Sequence, residues 1–186
     1  MPDALTYQFV AEVCPVVAAA LAMAGPAEPS SPANHALFSA ELFLGHAGAF
    51  SQDRKQVVAG VIGRERQTLR FEWGDDVPEW SSIKLDPADR PGFIHLFRIS
   101  LNGTNGVCAW EWRSDRDAMS SLESAASQQL LLRPPWPAGG PAMALSHGDD
   151  PWIELPIGPA ELRALEGHRG ASLEVEIGWP MSADYL

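Results

Sequence analysis

From residue 35 onward, the chain consists of short runs in which apolar and polar residues alternate, with turn-forming residues between them. The clearest run is 171–179 (ASLEVEIGW), in which every second residue from Leu173 to Trp179 is apolar. A period of two places alternate side chains on opposite faces of a strand, one buried and one exposed. The same alternation in 67–73 ends at Trp73. We therefore predict that Trp73 and Trp179 belong to the core.

These runs predict nine or ten short strands, without the strand–helix alternation of a parallel sheet. The turn NGTNG at 102–106 predicts a hairpin, and Phe97, Ile99 and Leu101 are expected on one face of the strand before it. We predict an all-β fold, a β-sandwich or jelly roll, with a short helical turn at 159–165. The predicted strands are residues 36–44, 56–62, 67–73, 82–85, 93–101, 107–112, 129–132, 142–146, 152–155 and 171–179.

Residues 1–34 differ from the rest of the chain. The pattern over 4–23 predicts a helix, and the Pro- and Ser-rich GPAEPSSPAN at 25–34 predicts a linker. The division predicted is therefore 1–34 as helix and linker and 35–186 as the β-sandwich domain. The apolar run at 13–24 is too short to span a bilayer as a helix. Acidic rather than basic residues precede it, which favours a packed helix over a signal peptide.

Composition narrows the classes of partner. A chain of 186 residues is long enough for one domain with a substantial core. The net charge of −11 repels phosphate backbones, and no cluster of Lys or Arg occurs, so nucleic acid is not an expected partner. The two cysteines, Cys14 and Cys108, have no metal-binding spacing. Two separate thiols suit a reducing cytoplasm, although a single long-range disulfide stays open.

The most polar cluster is SHGDD at 146–150, beside a predicted strand end. Its carboxylates could bond backbone amides in a turn, which is the reading we favour, or contribute to a ligand site. No GxSxG elbow presents a nucleophilic serine, and the spacing of an EF-hand is absent. A small enzyme using His147 with Asp149 or Asp150 as an acid/base pair is a third hypothesis.

Other polar motifs carry less information. The DRD sequence at 115–117 matches a metal-binding Asp-x-Asp pattern, but a solvated loop with a short helix, which Ser114 could cap, fits the polar surroundings better. Glu174 and Glu176 share the exposed face of one strand and do not predict a glycosidase pair. The remaining histidines are isolated along the chain: His35, His46, His95 and His168.

Seven tryptophans are many for this length, and an exposed indole can stack on a pyranose ring. We expect Trp112 and Trp136 to be exposed. No catalytic residue, metal or cofactor is predicted. The candidate ligand-binding residues are Trp112, Trp136, His147, Asp149, Asp150 and Trp152.

From Ala40 onward the order of motifs resembles an accessory β-sandwich module of bacterial polysaccharide-assembly proteins, where it is fused to glycosyltransferases or methyltransferases. The resemblance rests on AELFLGHAGAFSQ at 40–52, RQTLRFEW at 66–73, IKLDPADRPG at 83–92 and HGDDPWIELP at 147–156. It implies a carbohydrate-binding-like fold without catalysis. The chain departs from the pattern because no transferase domain follows before Leu186, so we expect a module acting beside a separate enzyme, or a remnant of a longer protein.

Two main functional hypotheses follow. The first is a non-catalytic module that binds a glycan or docks onto a glycan-assembly enzyme. The second is a protein-interaction or scaffold domain that uses exposed strand edges or the N-terminal segment to bind a partner or a second copy.

Overall fold

A computed structural model describes residues 36–46, 49–73, 80–104, 106–135, 138–165 and 170–180. His35–Leu186 form one compact unit, and the description concerns this unit alone. Several predictions lie outside the described residues: the helix over 4–23, the linker 25–34, Cys14, His35, Trp136 and His168.

The described residues form eleven strands and two short helices, so the all-β class is confirmed. One strand, β7, has no counterpart among the predicted runs, and β2 begins seven residues earlier than predicted, at Ala49 instead of Gln56. The elements are β1 (Leu37–His46), β2 (Ala49–Val61), β3 (Gln67–Glu72), β4 (Ser82–Asp86), β5 (Gly92–Asn102), β6 (Cys108–Arg113), α1 (Arg116–Glu123), β7 (Ser127–Gln128), β8 (Leu130–Arg133), β9 (Ala142–Ser146), β10 (Trp152–Glu154), α2 (Pro159–Arg163) and β11 (Ser172–Gly178).

The strands form two antiparallel sheets. The first, called sheet A here, has the order β2-β1-β4-β10-β7, and the second, sheet B, has the order β3-β11-β5-β9-β8. Strand β5 is long enough to pair with two strands along one edge: its first half pairs with β9 and its second half with β6. Most neighbours in space are therefore distant in sequence, so the sheets depend on long-range pairing.

The apolar faces of both sheets form one shared core. Leu69 and Phe71 of β3 pair in register with Val175 and Leu173 of β11, and all four are buried, as the alternation predicted. Trp73 and Trp179 are 4% and 0% exposed, which confirms both as core residues. Sheet A meets this core through Phe38, whose ring centroid lies 4.9 Å from that of Trp179.

The expectation that Phe97 shares one face with Ile99 and Leu101 is wrong, because a β-bulge reverses the alternation of β5. Ile177 of β11 pairs with Leu96, and the preceding Glu176 pairs with Arg98, so Phe97 has no partner in that register. An extra residue on one strand moves all later side chains to the other face. Ile94 and Leu96 are buried before the bulge, and Ile99 and Leu101 after it, while Phe97 faces outward beneath Arg66.

The two helices are short and peripheral. Helix α1 buries Met119 and Leu122, which lie three residues apart on one face. The hydroxyl of Ser114, which the sequence suggested as a cap, donates to the carbonyl of Gly140 at 3.0 Å. Helix α2 begins at Pro159, as predicted. Within the described ranges, no helix has the length and hydropathy needed to cross a bilayer.

Candidate functional site

Trp112 is buried, which corrects the prediction that it is an exposed sugar-binding residue. It is 2% exposed and pairs across β5 and β6 with the fully buried Ile99. Paired residues of an antiparallel ladder lie on the same face, so Trp112 points into the core. Trp136, the other expected exposed indole, lies outside the described residues. Trp152 is half-buried and becomes the aromatic side chain to consider.

The SHGDD turn is held against the corner between β7 and β8. The backbone N–H of His147 donates to the carbonyl of Gln129 at 3.1 Å, and that of Asp150 donates to Gln129 Oε1 at 2.9 Å. Gln128 Nε2 donates to Asp150 Oδ2 at 3.2 Å. The Asp150 carboxylate therefore accepts a hydrogen bond from a glutamine side chain, whereas we expected Asp149 or Asp150 to bond backbone amides.

Gln129 forms this corner with a left-handed backbone, at φ 50°. It is the single residue between β7 in sheet A and β8 in sheet B, so the chain passes directly from one sheet to the other. Left-handed conformations cost a residue with a Cβ atom about 1–2 kcal/mol. The bonds between Gln129 and the SHGDD turn offset this cost. Gly148 lies so close that an added Cβ would overlap Gln129 Oε1.

His147 and Asp149 are exposed at the tip of the turn. Among the described residues, no hydrogen bond or ion pair joins the His147 imidazole to a carboxylate, and no set of three acidic, His or Cys side chains is arranged to hold a metal ion. Of the predicted residues His147, Asp149 and Asp150, Asp150 is the one that the described contacts connect to sheet A, through its hydrogen bond with Gln128.

A continuous surface lies on the outward face of sheet A. Ile153 of β10 pairs with Leu85 of β4, and both are buried. Their neighbours Trp152 and Asp86 therefore lie side by side on the opposite, outward face. Trp152 is also paired with Gln128 of β7. The residues of this face, called the Trp152 surface here, are Glu41, Phe43, Lys84, Asp86, Gln128, Asp150, Trp152 and Glu154.

Lys84 occupies the middle of the Trp152 surface, between two aromatic rings. Its Nζ lies 4.0 Å from the ring centroid of Phe43 and 5.7 Å from that of Trp152. Phe43 alternates with the core residues Leu42 and Leu44, so it points outward, yet it is only 2% exposed because Lys84 covers it. The aliphatic stem and ammonium of a lysine can both stabilise such a packing.

Asp86 is the buried charge of this surface, at 7% exposure. Burial raises the pKa of its carboxyl to about 6, and the charges of Asp150 and Glu41 add to this, while Lys84 acts in the opposite direction. Lys84 Nζ lies 3.2 Å from Oδ1 and donates a hydrogen bond to Oδ2 at 3.3 Å. Asp86 Oδ1 is buried, and among the described residues its contact is this ion pair with the Lys84 ammonium, without hydrogen-bond geometry.

Sequence reasoning missed Glu41, Phe43, Lys84 and Asp86. A signal existed in SIKLD at 82–86, where Ile83 and Leu85 are core residues and Lys84 alternates with them. Lys84 and Asp86 lie on the outward face of β4, a central strand with a neighbour on each side. Two charged residues at such a position indicate a polar surface. The cluster could not be recognised from the sequence because these residues are far from Trp152 along the chain.

The outward face of sheet B carries paired charges instead. Arg66 binds Glu176 through two hydrogen bonds of 2.8 Å, and Arg70 pairs with Glu174 at 3.2 Å. Glu111 similarly pairs with Arg98 and Arg113. These arginines lower the pKa of Glu176 and of Glu111, chiefly by donating hydrogen bonds. Each carboxylate is held by guanidinium groups on a partly exposed face, an arrangement that stabilises the sheet weakly.

The fold and site together define an all-β protein of two antiparallel sheets, one of which carries an aromatic and acidic outward surface. Comparisons of the chain with protein-family models, with curated proteins and with solved structures found no match.

Proposed function

We propose that this protein is a non-catalytic carbohydrate-binding module with a β-sandwich architecture, and that the Trp152 surface is its binding site. The observation that supports the proposal best is the half-buried indole of Trp152, which lies on the outward face of sheet A beside the polar side chains of Lys84 and Gln128. An aromatic side chain on an outward face, with polar groups beside it, suits a ligand that has both apolar and hydroxyl surfaces.

The chemistry of the surface fits a sugar ring. The indole of Trp152 offers a flat apolar face for the C–H face of a pyranose. Around it, Lys84 and Gln128 supply N–H donors, and the exposed Asp150 supplies a carboxylate acceptor for hydroxyl groups. A few convergent polar groups beside an apolar face are typical of small-ligand sites.

The proposed setting is bacterial surface-glycan synthesis in the cytoplasm, with the module beside a glycan-assembly enzyme. The feature that supports it is the sequence resemblance to accessory modules of such enzymes. In this setting the module holds a nascent or acceptor glycan, or docks onto the enzyme, while the partner performs the transfer.

A glycan-array screen with the purified protein tests the proposal, followed by the same screen with Trp152→Ala. We expect binding to a defined glycan set and its loss in Trp152→Ala. Trp110→Ala is the matched control, because Trp110 is also partly buried but belongs to β6 of sheet B. A blank array, or equal loss of binding in both variants, would contradict the proposed site.

A second candidate function, a protein-interaction domain, is favoured by the outward face of β5, β9 and β8. Phe93, Met143 and Leu131 are 44%, 43% and 41% exposed and lie on adjacent strands. Exposed apolar residues grouped on one face are typical of interaction surfaces. A partner retained by wild type and lost in a Phe93→Ser/Met143→Ser variant, with glycan binding absent in both, would favour this function.

A further inference from the structure

We propose that β2, the terminal strand of sheet A, pairs with β2 of a second copy of this chain. The paired stretch is residues 55–59, the two strands run antiparallel, and the pair is centred on Val57. This inference is independent of the proposed carbohydrate binding, because it rests on the backbone of a strand that lies outside the Trp152 surface.

The backbone of β2 is directed alternately towards β1 and towards the free edge of sheet A. The N–H of Ile62, one residue after β2, donates to the carbonyl of Ala36 at 2.9 Å. In an antiparallel pair, residues that bond the neighbouring strand alternate with residues that do not. Val61 and every second residue before it therefore have their N–H and C=O groups directed away from β1. Within residues 55–59 these are Lys55, Val57 and Ala59.

The two ends of this free edge are already occupied by side chains. Gln67 of β3 accepts the N–H of Val61 through Oε1 at 2.9 Å and donates to the Val61 carbonyl through Nε2 at 2.8 Å. These are the two bonds that the backbone of a paired strand residue would form. At the other end, the N–H of Asp53 donates to Ser51 Oγ at 3.3 Å. Residues 55–59 lie between these ends, and among the described residues β2 is paired with β1 alone.

The side chains of this stretch leave the edge open to another strand. A lysine commonly protects an edge strand from pairing, but the Lys55 ammonium is bound by both carboxylate oxygens of Glu41 in β1, at 2.9 and 3.0 Å. It is therefore held towards its own sheet. Val57 is 52% exposed, and Ala59 is also exposed. An added strand would cover this apolar surface and bond the unpaired N–H and C=O groups.

The stretch is complementary to a second copy of itself. In an antiparallel pair centred on Val57, the two exposed valines lie opposite each other, and Lys55 of each copy lies opposite Ala59 of the other. No like charges are opposed in this register, whereas a pair centred on Lys55 would oppose two lysines. Gln67 ends the pairing on each side, because it already holds Val61, the next residue directed to the edge.

Sedimentation velocity of the full chain over a concentration series tests the inference. We expect a reversible dimer with a dissociation constant on the order of 100 μM, because so short a paired stretch makes a small interface. Val57→Pro removes an N–H that faces the free edge and leaves the bonds to β1 in place, so we expect loss of the dimer with the fold retained. Leu37 of β1 is also 52% exposed, so Leu37→Ala is the matched control and is expected to keep the dimer.

A second variant changes the dimer in the opposite direction. Gln67→Val frees the backbone of Val61 and lengthens the pairing at both ends, so we expect association about tenfold tighter from the added hydrogen bonds. This variant decides the question if Val57→Pro does not fold. A wild-type chain that stays monomeric up to millimolar concentration overturns the inference. A dimer that persists in folded Val57→Pro, that Gln67→Val does not strengthen, or that is lost in Phe93→Ser/Met143→Ser also overturns it.

Discussion

The side-chain oxygen Oε1 of Gln129 accepts the backbone N–H of Asp150 at 2.9 Å, while the backbone of Gln129 itself is left-handed. One residue thus forms a strained corner and holds the neighbouring turn. The SHGDD sequence, which stands out as a polar cluster, has in Asp150 a structural partner of this corner as well as a member of the Trp152 surface.

Two substitutions at Gln129 separate the cost of its left-handed backbone from the loss of its hydrogen bond to Asp150. Both Gln129→Ala and Gln129→Gly lose the hydrogen bond to Asp150, but only glycine accepts φ 50° without a steric cost. We expect Gln129→Gly to be more stable than Gln129→Ala by about 1 kcal/mol. Urea unfolding of the two variants measures the difference. An alanine variant that equals or exceeds the glycine variant would show that the corner is not strained.

Gly178→Ala is expected to destabilise the protein more than Gly63→Ala. A Cβ at Gly178 would overlap the backbone carbonyl of Glu65, which cannot move without displacing its chain segment. At Gly63 the space is open, and the cost is only that of a left-handed alanine at φ 90°, about 1–2 kcal/mol. Thermal unfolding of both variants tests the order, and the reverse order would contradict the close approach at Gly178.

Asp86→Asn should change the pH dependence of stability. The folded-state pKa of Asp86 is raised to about 6 from 3.8, so its contribution is present at low pH and is lost as the pH rises through about 6. The asparagine variant has no such loss. Its stability relative to wild type should therefore rise between pH ~4 and pH ~7, by up to about 3 kcal/mol. Denaturant unfolding across this range measures it, and parallel curves would argue against a raised pKa.

Trp112→Ala and Trp152→Ala are expected to act on different properties. Trp112 is a core residue, so its truncation should cost about 3–5 kcal/mol of unfolding free energy. Trp152 is half-buried on the outward face, so its loss should affect ligand binding more than stability. Measuring unfolding and glycan binding for both variants compares the two roles. A large stability loss in Trp152→Ala with unchanged binding would reverse them.

Much of the sheet structure was predictable where alternation is unbroken. The sequence patterns of β3 and β11 predicted both strands, their buried faces and two core tryptophans. They did so because successive residues of a regular strand lie on opposite faces of the sheet. Prediction failed where this regular alternation is interrupted or missing. The bulge at Phe97 reversed one half of β5, and the polar start of β2, AFSQDRK at 49–55, has no alternation to reveal it. Its strand structure depends on pairing with β1, a tertiary contact.

The site was less predictable than the fold. Asp150 was identifiable because it belongs to a contiguous polar cluster, and Trp152 because it is close to that cluster in sequence. Asp86, Lys84 and Phe43 come from other strands and reach the surface only through the order β1-β4-β10. The exposure of a given tryptophan likewise depends on which strand it pairs with, and Trp112 pairs with a core residue of β5.

The corner at Gln129 also bears on how the protein transmits force. Since β7 pairs in sheet A and β8 pairs in sheet B with one residue between them, sliding one sheet past the other would break backbone hydrogen bonds in both. The two layers are fastened to each other covalently next to the Trp152 surface. A displacement of β7 would therefore be passed directly to β8, so the two layers move together at this point.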